Sequence, residues 1–212
     1  MSERYLYLTV TSRAQWRGWL AAHGASEPGV WVTTWKKGSG QPHVSYDDIV
    51  DEAIAAGWVD SRPQRVDENR SGLLVTPRKP ASRWSKKNKD RVERLLAAGL
   101  MRPEGLAVVE AAKASGTWNA LDDVEALNEP DDLSAALDAE PVARAYFAAF
   151  PRSAKRAILE WISAAKTPET RAARIERAVG DASLNIRANQ WRQPKGSQRT
   201  APTPEGRSKR TE

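Results

Sequence analysis

Leu6, Leu8 and Val10 alternate with Tyr5, Tyr7 and Thr9, the period-two pattern of a half-buried strand. Ser12 with Gln15 three residues on has the form of a capping box, after which Trp16, Trp19 and Leu20 recur at helical spacing until Gly24. Residues 30–36 are β-branched and aromatic between Pro28-Gly29 and Gly38-Ser39-Gly40, and predict a second strand. Ser45 with Asp48 opens another helix, whose Ile49, Val50, Ala53 and Ile54 face one way and whose Gly57 is placed to close it. Residues 58–65 and 72–76 predict two further strands, joined through the polar turn Asp67-Glu68-Asn69-Arg70.

Past Pro77 and Pro80 the period becomes helical. Ser82 or Ser85 caps a helix whose buried stripe is Val92, Leu95 and Leu96 and whose end is Gly99; Pro103 opens the next, through Leu106 and Val109 toward Gly116. Residues 119–130 are acidic and rich in turn formers, which predicts a linker. Four apolar stripes follow: Leu133, Ala136 and Leu137; Pro141 to Phe150; Ile158, Trp161, Ile162 and Ala165; and a helix opened by Thr167-Pro168-Glu169 that carries Ile175 and Val179 to Gly180. The fold class expected is α+β: a small, mainly antiparallel sheet packed with helices over residues 1–119, a helical C-terminal domain over residues 129–184, and a disordered basic tail over residues 185–212.

Charge changes the picture mainly at that tail. The chain of 212 residues has a net charge of +6, and residues 187–212 hold seven Lys/Arg against Glu205 and Glu212, so +5 of it lies there. A stretch rich in Pro, Ser, Thr and Gly with few apolar residues cannot offset its ordering entropy by burial. It offers weak, salt-dependent contact with nucleic acid. With no cysteine, thiolate metal sites and cysteine nucleophiles are excluded, and His23 and His43 stand in no ligand-like spacing, so neither a metal nor a cofactor is expected. No run reaches membrane-spanning length, and the N-terminus has no secretory apolar region; no membrane insertion and a cytoplasmic location are the expectations.

Candidate chemistry gathers in two stretches. Residues 78–94 hold eight Lys/Arg against Asp90 and Glu93, and Arg78, Lys79, Ser82, Trp84, Ser85 and Asn88 lead into a helix start, where free backbone N–H groups, the dipole, hydroxyls and a guanidinium suit an anionic ligand. The plain alternative is that the serines only cap and the cations only face water. In the stretch beginning Gly57-Trp58-Val59-Asp60-Ser61, Trp58 and Asp60 fall on one strand face, as a ligand pair or as part of a structural ion pair. Trp35, Trp58 and Trp84 stand beside cations or hydroxyls and are candidate stacking surfaces; Trp16, Trp19, Trp118 and Trp161 read as core. Asp47, Asp48, Asp51 and Glu52 are explained by the dipole of the helix they open. The function expected is therefore a pocket for a small anionic ligand formed by Trp58, Asp60, Ser61, Arg78, Lys79, Ser82, Trp84, Ser85 and Asn88. The alternatives are nucleic-acid binding through Lys155, Arg156, Lys166, Arg171, Arg174, Arg177 and the tail, or a hydrolase or transferase whose catalytic residues no motif marks.

The same residues carry a resemblance. Trp19-Leu20, Gly29-Val30-Trp31-Val32, Lys36-Lys37, Glu52-Ala53, Gly57-Trp58-Val59-Asp60-Ser61, Thr76-Pro77-Arg78-Lys79-Pro80, Trp84-Ser85, Asn88, Arg91-Val92 and Gly99-Leu100-Met101, then Pro130-Asp131-Asp132-Leu133, Phe147, Trp161-Ile162, Ala165-Lys166 and Thr170-Arg171, make the chain similar to the YdeI/OmpD-associated, or bacteriocin-protection, family over about residues 12–180. The resemblance implies a bacterial protein associated with stress or envelope resistance and carries over no catalytic residue. Val75 stands where the family has an apolar aromatic.

Overall fold

The computed structural model describes residues 5–194, which form two compact units, one up to Asp122 and one from Asp123. In the first, β1 (Leu6–Thr9), α1 (Arg13–His23), β2 (Val30–Trp35), α2 (Tyr46–Ala55), β3 (Trp58–Arg65) and β4 (Arg70–Pro77) precede α3 (Lys86–Ala97) and α4 (Pro103–Ala114). The strands form one sheet in the order β1-β2-β4-β3. β1 and β2 run parallel, a pairing that needs a crossover such as the intervening α1, while β2–β4 and β3–β4 are antiparallel. Mainly antiparallel is the sheet expected from the sequence.

One face of the sheet makes the core. Val30, Val32, Leu73 and Val75 point into it with Trp16, Leu20, Ile49, Ile54, Val92 and Leu95 from the helices, all buried. The Trp16 indole donates to the Ile49 carbonyl at 3.0 Å, so α1 is keyed to α2 by a buried polar contact as well as by area. Ser12, Ser45 and Ser85 cap α1, α2 and α3 through side-chain oxygens that accept from the N–H three residues on. Gly57 sits just past α2 at φ +79°, which lets β3 turn away at once. Nearby, a Cβ on Gly105 would stand 2.2 Å from the Ala55 carbonyl oxygen, so α4 approaches the end of α2 as closely as only glycine allows.

Two local expectations change. Leu96 is 44% exposed, because Val92 and Leu95 already fill the stripe facing the core and Leu96 lies a further 100° or so round the helix. The expected linker contains a short helix, α5 (Asp122–Ala126), held by the buried Leu121 and Val124.

The second unit continues with α6 (Asp131–Asp138), α7 (Pro141–Ala149), α8 (Arg152–Ser163) and α9 (Pro168–Ser183) around Leu133, Leu137, Phe147, Ile158, Ile162 and Val179. Gly180, read from the sequence as an end, lies inside α9. Residues 185–194, placed by the sequence reading in the tail, fold back: Ile186 and Ala188 are buried, and Gln193 Oε1 accepts from the Arg187 N–H at 2.7 Å. The rest of the expected tail lies outside the described residues. No helix among the described residues is long and apolar enough to cross a membrane.

Candidate anion-binding corner at Arg78

β4 ends at Pro77, and the next residue leaves the sheet with its backbone N–H donating to the Gly57 carbonyl at 3.0 Å. The stretches around Trp58 and Arg78 therefore adjoin. From this position the Arg78 side chain runs over Trp84, its guanidinium carbon 3.7 Å from the ring centre. Only 8% of Arg78 and 2% of Trp84 remain exposed. Nη1 donates to the Arg83 carbonyl at 3.3 Å, but the Arg78 Nε–H and the Trp84 Nε1–H are buried with no partner. Burial pushes the Arg78 guanidinium down to about 10, and the charge of Asp60 opposes the shift only in part.

One residue beyond Trp84, Ser85 caps α3, its Oγ accepting from the Asn88 N–H at 3.4 Å. The positive end of the α3 dipole thus starts beside the Arg78–Trp84 stack. Ser82 is half-buried in the connecting turn, its N–H donating to the Lys79 carbonyl, and Lys79 is exposed.

Asp60 sits on the inward face of β3, opposite Val75. It accepts from the Tyr46 hydroxyl at 2.7 Å, and burial, then the bond to Asp60 and its charge, push the Tyr46 phenol up to about 12. Ser61 is the extra residue of a β-bulge, since Asp60 pairs with Val75 and Arg62 with Leu74; it is exposed. Trp58 shares the inward face with Asp60 but is 2% exposed, packs edge-on against Trp19, and spends its indole N–H on the Gly24 carbonyl.

The structure therefore brings Arg78, Trp84 and Ser85 together, with Asp60 near enough to act through its charge. It places Trp58 in core contacts, and Ser61 and Lys79 on the surface. Tyr46 is a neighbour the sequence reading missed, since nothing local links it to a strand 14 residues away.

A second charged assembly flanks this corner. Asp51 and Glu52, 3% and 4% exposed, stand back to back on α2. Arg91 and Arg94 of α3 both hold Asp51, and Arg91 also reaches Asp47; Arg13 and Arg17 of α1 both hold Glu52. Burial raises both carboxyls, but the arginine hydrogen bonds and charges outweigh it and hold them below the ordinary carboxylate range. A shallow hollow of about 520 Å³ opens over Arg13, Asp47, Lys87 and Arg91. Its charges are largely matched internally, unlike that of Arg78. The dipole alone does not account for these acids, because their arginine partners come from two neighbouring helices.

In the helical unit the cations proposed from sequence for nucleic acid are mostly engaged. Arg156 pairs with Glu125 and Glu160, Arg171 with Asp132, and Arg177 with Asp181, while Arg174 donates to the Trp161 carbonyl. Among the described residues no group of three or more His, Asp or Glu is arranged to hold a metal ion.

These features define a protein with a four-stranded α+β unit, carrying a buried arginine that has no ion pair among the described residues, and a helical unit. Residues 126–184 match the family described as Bacteriocin-protection, YdeI or OmpD-Associated, so the helical unit carries that family's domain and the resemblance drawn from sequence holds there. Residues 8–108 match a domain of unknown function, DUF8412. Comparison with curated proteins finds no match, and comparison with solved structures finds none.

Proposed function

We propose that the corner formed by Arg78, Trp84 and the start of α3 binds a small anion or the anionic group of a ligand. The observation that carries this reading is the buried Arg78 guanidinium, which makes no ion pair with a described carboxylate and leaves its Nε–H unmatched beside the unmatched indole N–H of Trp84. An uncompensated buried charge costs several kcal/mol, and an anion would repay it by accepting from both donors. The helix dipole adds to the attraction, and the indole face holds the guanidinium plane in one orientation. Ser82, Ser85 and Asn88 supply further polar groups in the turn and at the start of α3, and Asp60, which accepts from Tyr46, acts on Arg78 through its charge. The matched family description speaks of bacteriocin protection and association with OmpD; an anionic-ligand site in the preceding unit is our addition to it.

Thermal-shift and calorimetric titrations with inorganic phosphate, pyrophosphate and citrate test the proposal. At least one of these is expected to raise the melting temperature of the wild type by binding the native state. The Arg78→Met variant is expected to lose that rise. Indistinguishable responses of the two proteins to all three anions would remove the reading.

A further inference from the structure

The face of the sheet turned away from the core carries an arrangement that neither the core nor the Arg78 corner uses. Tyr7, Trp31, Leu74 and Arg62 lie in one row across β1, β2, β4 and β3, and Trp35 faces Arg70 farther along the same face. Tyr7 and Trp31 are parallel to within 13° at 6.0 Å, and Tyr7 is 50% exposed. Arg62 lies 5.8 Å from the Trp31 ring centre and Arg70 5.5 Å from that of Trp35. In the row between them Gly72 has no side chain, and Gln64 crosses that space to donate to the Tyr7 hydroxyl at 3.0 Å. A Cβ on Gly72 would come within 3.2 Å of Gln64 Cγ. The glycine thus leaves room for Gln64 of β3 to reach Tyr7 at the opposite edge of the sheet.

We infer that this face is a stacking platform for single-stranded nucleic acid. Residues four apart on a strand are about 13 Å apart, so the stacked Tyr7–Trp31 pair and Trp35 set two aromatic positions along one face that a single strand can reach with separate bases. Every base has a π-face, so such a platform reads stacking rather than sequence, and open sheets with aromatic rows are a recurrent solution for unpaired strands. The charge argues for a polyanion over a neutral sugar or an apolar peptide. Both tryptophans are flanked by arginines; Arg70 also pairs with Asp67 at 2.7 Å, whereas the exposed Arg62, with no ion pair among the described residues, can turn from the indole to a phosphate while a base takes its place on the ring. The inference is independent of the Arg78 reading.

The test uses the full chain and fluorescein-labelled dT and rU 12-mers, read by anisotropy and by quenching of tryptophan emission. Binding is expected to be stronger for single strands than for a duplex of the same length, and to weaken as salt rises. Trp31→Ala and Trp35→Ala are each expected to weaken it about tenfold or more, given ~1–3 kcal/mol per stacked base. Arg62→Ser, a change at an exposed position, is expected to weaken it with an unchanged melting temperature; it keeps the test decisive if a tryptophan variant fails to fold. Arg78→Met is expected to leave oligonucleotide binding intact, which separates this site from the anion corner. No binding, equal binding of duplex, or full retention in Arg62→Ser with loss on removal of residues 195–212 would overturn the inference, the last assigning the contact to the terminal cations. Loss in Arg78→Met would overturn it too, by assigning the strand to the anion corner.

Discussion

Arg78 and Trp84 are stacked at 3.7 Å, so a full positive charge is held on the face of an indole where almost no water reaches either group. They lie six positions apart in the chain, and the turn through Ser82 folds one over the other. Such a contact stabilises the charge only in part: a cation–π pair is worth ~2 kcal/mol when desolvated, less than burying an unmatched guanidinium costs. The imbalance is the reason to regard the corner as a binding site, and it has a consequence for stability.

Replacing Arg78 by Met, which keeps an unbranched apolar chain over the indole, is expected to leave the free protein as stable or to stabilise it by about 1–3 kcal/mol. Urea unfolding of the anion-free protein measures this. A loss of more than about 2 kcal/mol would show that the guanidinium has sufficient partners already and that no anion is called for.

Asp51 provides the opposite case. Arg94 holds it at 2.9 and 3.0 Å, and Arg91, itself 5% exposed, donates to it from the other side. Asp51→Ala is expected to cost about 3–5 kcal/mol in a denaturant melt, since it removes the buried carboxylate shared by Arg91 and Arg94 and leaves the buried Arg91 only the exposed Asp47. The Arg91→Met, Asp51→Leu double variant should recover much of that loss.

The same contacts set an acid limit. Asp51 and Glu52 both have carboxyls held below their unfolded values, so their contribution is complete above about pH 4 to 5 and is lost as pH falls through the lower folded values. Melting temperature is therefore expected to fall steeply on acidification below about pH 4. Glu52→Gln should flatten that fall while lowering stability at neutral pH.

Two glycines in helices should respond in opposite ways. Gly105→Ala would drive a methyl against the Ala55 carbonyl oxygen and is expected to cost about 3 kcal/mol or more, because the opposing atoms are backbone. Gly180→Ala meets nothing within 4 Å in the last turn of α9 and should stabilise by ~0.5–1 kcal/mol through helix propensity. Thermal melts of the two variants compare them directly.

Much of the architecture was legible in local pattern. The alternation through Leu6, Leu8 and Val10, the capping serines at 12, 45 and 85, and the prolines at 103, 141 and 168 mark elements through contacts within a few residues, and those elements are present. Leu96 misled because a stripe of three leucine-like positions does not say which two the neighbouring helix will cover. The corner was half legible: the residue types near Arg78 and Trp84 suggested an anion, but Tyr46 on Asp60 and the four arginines on Asp51 and Glu52 join residues between 14 and 43 positions apart.

By itself, then, the sequence determined most of the strands and helices, α5 apart, roughly where they start, and which side of most of them is apolar, because those properties follow from backbone preference and period. The tertiary structure alone decided that β1 lies parallel to β2 at one edge, that Trp58 is consumed by the core while Trp31 and Trp35 face away from it, and that Arg78 is buried with no ion pair among the described residues. Such outcomes depend on which distant surfaces meet. A charge or an indole carries no local sign of whether its eventual neighbour will be water, a carboxylate or a ring.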